Sequence, residues 1–108
     1  DKIIVIVDRR RHVYVPNIFS PNDDGINDLV NIFAKPGTVR NIKTFQVYGR
    51  WGESLFVLEN FAPNNEAIGW DGKFRGQQMN PGVYVWLMEV EFIDGVTELY
   101  KGDVTLMR

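Results

Sequence analysis

Residues 83–107, VYVWLMEVEFIDGVTELYKGDVTLM, decide the fold, because they read as two long strands joined by a turn at Asp94 and Gly95. Asp-Gly flanked by apolar Ile93 and Val96 is the signal for a two-residue type I′ hairpin, and such a turn sets a register. In a regular ladder Val83, Val85 and Leu87 then share a face with Leu106, Val104 and Gly102, which is the expected core face. The other face carries Tyr84, Trp86 and Met88 opposite Thr105, Asp103 and Lys101, mixing large rings with charges. Two arrangements resolve that conflict. Either a bulge at Gly102 resets the pairing, or the rings form a partly wet platform beside the Lys-Gly-Asp sequence.

Outward from the hairpin the apolar periodicity stays that of strands, and no window keeps a helical stripe. Strands are expected near residues 2–8, 12–15, 29–34, 42–48, 54–59, 83–93 and 96–107, separated by Gly, Pro and Asn clusters. The fold class is therefore all-β, and about seven short strands suggest an Ig-like antiparallel β-sandwich. Phe45, Val47, Val85, Val104 and Leu106 are expected in its core from the alternation in their strands. Residues 62–69, APNNEAIG, are the least patterned segment and are expected to be the most mobile loop. The basic run Arg9, Arg10, Arg11 has two readings. In one, residues 1–11 are a linker or the last strand of a preceding domain and residues 12–108 form the sandwich. In the other, the run is a solvated turn.

Composition narrows the function classes. At 108 residues and 44% hydrophobic content the chain has the size of one domain with one real core. Fourteen acidic residues against 12 basic ones give a net charge of -2, which lacks the electrostatic footprint of a nucleic-acid binder. Without cysteine there is neither a disulfide framework nor a thiol site, so packing and hydrogen bonds must hold the fold. The longest apolar run, residues 3–7, falls far short of the roughly 18 residues of a spanning helix. Asp1 and Lys2 lead straight into a strand-like run with no signal peptide, so the chain is expected to be a piece of a larger precursor.

Residues 15–28, VPNIFSPNDDGIND, concentrate turn formers and oxygen donors. An EF-hand loop places ligands at positions one, three, five, seven and nine with Gly at six. Here Ser20, Asn22 and Asp24 stand at one, three and five, Gly25 at six, Ile26 at seven for its carbonyl, and Asp28 at nine. Position twelve is Asn31 rather than a bidentate Glu, and position one is a neutral Ser, which limits any calcium affinity to on the order of 0.1–1 mM. The competing reading needs no metal, because Asn and Asp side chains hydrogen-bond backbone amides two residues on and Gly25 supplies a positive φ. No cofactor is required under that reading.

Catalysis finds little to work with. The only histidine is His12, and with no cysteine and no glycine-flanked serine neither a triad nor a zinc site can be assembled. The carboxylate pairs Asp24 with Asp28 and Glu89 with Glu91 have the composition of a glycosidase pair, but charges near a hairpin tip ordinarily solubilise a strand. The chain is not expected to be an enzyme. Trp51, Trp70 and Trp86 offer flat apolar faces for a sugar or a protein, against which stands ordinary packing: Trp51 folded back over its hairpin and Trp70 plugging one end of the sandwich.

Taken in order, VPNIFSPNDDGIND, YGRWGE (48–53), WDGKFRG (70–76), NPGVYVW (80–86) and YKGDVTLMR (100–108) closely resemble the gliding-motility-associated C-terminal domain, the type B sorting domain of the type IX secretion system. The resemblance runs from about Tyr14 to Arg108; the departures are Asp23 where the family usually has Gly and Gly49 where it usually has Asn. It implies a β-sandwich at the end of a secreted or cell-surface protein that passes through the periplasm and is recognised by outer-membrane translocon components. The family's closing motif falls on Lys101, Gly102, Asp103, Val104, Thr105, Leu106 and Arg108. Val104 and Leu106 are needed inside, so the polar members Lys101, Asp103 and Arg108 are the expected partner-binding residues. The rival reading is a carbohydrate- or protein-binding adhesive module of a cell-surface protein.

Overall fold

The computed structural model describes residues 13–22 and 28–108. The strand expected at 2–8, the Arg9–Arg11 run, His12, Asp24 and Ile26 lie outside the described residues. The chain is all-β and sandwich-like, with no helix among the described residues. Its elements are β1 (Val13–Tyr14), β2 (Ile18–Phe19), β3 (Phe33–Ala34), β4 (Val39–Tyr48), β5 (Ser54–Phe61), β6 (Lys73–Phe74), β7 (Gln77–Gln78), β8 (Gly82–Phe92) and β9 (Thr97–Leu106). Nine strands occur among the described residues where about seven were expected in the whole chain, because β2 and the β6–β7 pair are two-residue strands too short to show a period.

One five-stranded sheet, in the order β2-β9-β8-β4-β5, forms the main layer; only β2 runs parallel to its neighbour, β9. Facing it are the short pairs β1-β3 and β6-β7 and an isolated bridge between Val30 and Trp70. Residues from both layers meet in one core: Ile42, Phe45, Val47, Met88, Val90, Val104 and Leu106 from the sheet, and Val30, Ile32 and Trp70 from the cover. Ile42 and Phe45 are three residues apart yet both point inward, which a regular strand forbids; a register shift between Ile42 and Thr44 supplies the extra residue.

The β8–β9 hairpin corrects the expected register. Its loop has three residues, Ile93, Asp94 and Gly95, closed by the Phe92 N–H donating to Val96 O at 2.8 Å and the Gly95 N–H donating to Phe92 O at 2.9 Å. Gly95 has φ +88°, whereas Asp94 is not among the residues with positive φ, and a type I′ turn needs both. A three-residue loop moves the pairing by one residue and so reverses β8 relative to β9, whose Val104 and Leu106 stay inside as expected. Tyr84 now faces Val104, Trp86 faces Gly102 and Met88 faces Tyr100, all toward the core. Val83 and Val85, expected inside, are 52% and 38% exposed.

The composition of β8 explains the outcome. Its even positions, Tyr84, Trp86, Met88, Val90 and Phe92, carry no charge, while its odd positions include Glu89 and Glu91. Burying Val83, Val85 and Leu87 would gain about 1.5–3 kcal/mol each. It would also force two carboxylates inside at several kcal/mol each, and would leave the larger rings wet. Neither the Gly102 bulge nor the wet platform forms: the ten β8–β9 pairs run without a shift, and the Trp86 ring lies over Gly102, where a Cβ would come within 2.6 Å of it.

Of the three tryptophans only Trp70 behaves as expected. It is fully buried, packs on Phe19 and Tyr84 with ring centroids 5.5 and 5.1 Å away, and donates its indole N–H to Lys73 O at 3.0 Å. Trp51 is not folded over its hairpin; it is 87% exposed. Trp86 is partly buried against Phe45, and its Nε1 has no acceptor among the described residues. The segment 62–69 is tied to the body: Asn64 donates to Ala34 O and accepts from the Ala34 N–H, and Asn31 donates to Ile68 O.

The register makes two predictions. Val104→Asp is expected to leave the domain unfolded at room temperature, because an unpaired charge enters the core, whereas Val85→Lys, opposite Asp103, should shift the melting temperature by no more than about 4 °C. Unfolding by Val85→Lys in thermal melts would restore the two-residue turn. In urea titrations Trp70→Ala should lose about 3–5 kcal/mol and Trp51→Ala no more than about 0.5 kcal/mol.

Candidate functional site

β9 carries the closing motif, and alternation divides it. Gly102, Val104 and Leu106 turn inward, the last two fully buried, while Lys101, Asp103 and Thr105 turn outward. Lys101 and Asp103 are exposed. Across the ladder they do not meet polar side chains: Lys101 pairs with Leu87, Asp103 with Val85 and Thr105 with Val83. Ile18 of β2 lies beside Thr105, and Val57 of β5 continues the row through Gln46 of β4 to Leu87. The outward face of the main sheet is thus a band of aliphatic side chains, with Ile18, Val57, Val83 and Val85 exposed, bordered at β9 by one cation and one anion. The aliphatic part was missed from sequence by the one-residue error in register. The parity of Glu89 and Glu91, which share this face, was the signal that identifies it.

Arg108 is placed differently. Its guanidinium donates from Nε to Met79 O at 3.1 Å and from Nη2 to Gly72 O at 3.2 Å, so it ties the end of β9 to the loops flanking β6 and β7. The same cation acts on Tyr84, whose hydroxyl donates to Asn80 O. Burial raises the Tyr84 phenol above its ordinary range, and the fields of Arg108 and Arg50 oppose that rise. Arg108 is therefore separated in role from Lys101 and Asp103, which the structure keeps together on one face.

Trp51 stands on a braced turn: Gly52 N–H donates to Gly49 O, Gly49 N–H to Glu53 O, and Trp51 N–H to Glu53 Oε1. Beside it lies a groove of 360 Å³ lined by Arg50, Met79, Pro81 and Tyr84 among others. In the loop at 20–28, the Asn22 N–H donates to Ser20 O at 3.0 Å and to Asp28 Oδ1 at 3.1 Å. Ser20, Asn22 and Asp28 are the described members of the expected calcium set. No group of three or more His, Cys, Asp or Glu side chains that could hold a metal occurs among the described residues. Glu91 lies 3.7 Å from Arg40, a surface pair on the sheet rather than a lining of a cleft.

No helix of the described residues is long and apolar enough to cross a membrane. A comparison with curated proteins gives no match. Residues 13–106 match the family model described as CHU_C, Type IX secretion signal domain, a family defined by export rather than by catalysis. That match spans every element from β1 to the buried end of β9, the same stretch over which the sequence motifs recur in order. The chain accordingly belongs to the CHU_C type IX secretion signal domain family, and its role is that of a C-terminal sorting signal that sends its cargo out through the type IX system.

Proposed function

We propose that the outward face of the β8–β9 hairpin is the surface that the outer-membrane translocon reads, with Lys101 and Asp103 as its polar contacts and Val83, Val85 and Leu87 as its apolar floor. One observation carries this reading: the register pairs Lys101 with Leu87 and Asp103 with Val85, so a strand whose inner half completes the core also displays an exposed aliphatic patch edged by opposite charges. Apolar patches bordered by charge are the surfaces protein partners use, the charges setting orientation and encounter rate. Arg108 supports the surface from behind by fixing the end of β9. The cargo reaches this partner from the periplasm and leaves as a secreted or surface protein.

Within the same reading Ser20, Asn22 and Asp28 serve a hydrogen-bonded turn rather than a calcium cage. Support comes from the Asn22 N–H donating to both Ser20 O and the Asp28 carboxylate, which gives Asp28 a hydrogen-bonding role without a metal.

Fused behind a periplasm-targeted fluorescent protein in a host with type IX machinery, the wild-type chain is expected to carry the reporter outside the cell. Lys101→Glu combined with Asp103→Lys should cut export about tenfold or more while the purified domain melts normally, since both positions are exposed. Wild-type export that persists after deletion of the translocon would refute the sorting role, and normal export of the folded double variant would move recognition elsewhere. For the loop, millimolar calcium should leave the melting temperature unchanged. A rise with calcium that Asp24→Ala abolishes would instead assign Ser20, Asn22, Asp24, Ile26 and Asp28 to a cation by mass action.

A further inference from the structure

We propose that the edge of β9 turned away from β8 accepts an added strand, so that the partner docks an extended segment against Leu99, Lys101 and Asp103 by main-chain hydrogen bonds. The proposal rests on the sorting role and specifies how the partner holds the domain.

The hairpin geometry identifies the groups. The Phe92 N–H donates to Val96 O, which puts this pair on the bonded side of the ladder, and in an antiparallel ladder bonded pairs alternate with pairs whose N–H and C=O groups turn away from each other. Along β9 the even residues therefore bond to β8, and Thr97, Leu99, Lys101, Asp103 and Thr105 aim their backbone groups at the opposite edge. Thr105 shows this directly, its N–H donating outward to Asn17 O at 2.9 Å. Beyond that point the cover ends. β2 pairs with β9 only at Thr105 and Leu106, and the chain before it turns away to pair with β3. Over residues 97–103 no other strand among the described residues pairs with β9 on this side.

The opposite edge of the sheet is a poorer template. β5 is interrupted by a register shift beside Tyr48, and Asn60 near its end has φ +57°, outside strand geometry. β9 has ten consecutive pairs with no shift, which keeps its outward donors regularly spaced. Charges on an edge strand ordinarily discourage pairing with just any chain. Here Lys101 and Asp103 stand two residues apart on one face, so they also select a partner. The fitting segment carries an acid opposite Lys101, a base opposite Asp103 and an apolar residue opposite Leu99.

Proline substitution tests this, since proline at an outward-facing position removes a donor from the edge and leaves the β8–β9 bonds intact. In the export assay Lys101→Pro and Asp103→Pro should each lower secretion about fivefold or more relative to Lys101→Ala and Asp103→Ala, with melting temperatures no more than about 8 °C below wild type. In hydrogen exchange on the purified domain, the Leu99, Lys101 and Asp103 amides should exchange much faster than those of Tyr100, Gly102 and Val104. Protection of all six alike would overturn the open edge whatever the export result. Normal export of the folded proline variants, with the charge swap still blocking secretion, would overturn the added strand and leave the surface reading standing. A stable dimer of the purified domain that Lys101→Pro dissociates would assign the edge to a second copy instead, against the proposal.

Discussion

The pairing of β8 with β9 is the constraint on which the rest of the molecule depends. A loop of three residues ends in Gly95, whose φ of +88° lets the chain return into register with no Cβ penalty. One residue more or fewer would exchange the faces of one strand relative to the other. With this register, Tyr84, Met88, Val90, Tyr100, Val104 and Leu106 are all buried, and β4 adds Phe45 and Val47 against them. The other face receives what is left: the two glutamates, the aliphatic Val83, Val85, Leu87 and Leu99, two threonines and the Lys101–Asp103 pair. Core and surface are settled by a single turn.

The second layer is held to this sheet by rings and side-chain amides rather than by long strands. Trp70 fills the gap between Phe19 and Tyr84, and its backbone carbonyl accepts the Val30 N–H at 2.8 Å. Asn64 uses its side-chain amide as a short extra strand, giving and receiving one hydrogen bond with Ala34. Such contacts satisfy backbone groups that two-residue strands cannot pair among themselves, which keeps an interrupted layer from leaving buried polar atoms unbonded. Trp86 is the exception, its buried Nε1 lacking an acceptor among the described residues; such an atom costs about 1–3 kcal/mol.

For a sorting signal this division of β9 has a consequence. The strand proposed as the recognised surface is also one without which the core is incomplete, since Val104 and Leu106 lie fully inside while Lys101 and Asp103 lie outside. A chain that has not folded therefore cannot display the ordered face, so display of the signal is coupled to folding of the domain that bears it. Arg108 reinforces the coupling by bonding the end of the strand to the carbonyls of Gly72 and Met79.

Sequence alone determined the all-β class, the places of the long strands, the burial of Phe45, Val47, Trp70, Val104 and Leu106, and the family, because periodicity, turn formers and ordered motifs are local properties of the chain. It also held the sign of the hairpin register in the parity of Glu89 and Glu91, although Asp94-Gly95 read by itself pointed to the wrong turn. Only the tertiary structure decided that Trp51 stands out, that the Arg108 guanidinium bonds to loop carbonyls, and that Val85 and Leu87 lie beside Asp103 and Lys101. Each of these depends on which distant segment covers a residue. That is settled by summing burial over both faces of a sheet, where one register hides two carboxylates and the other hides none.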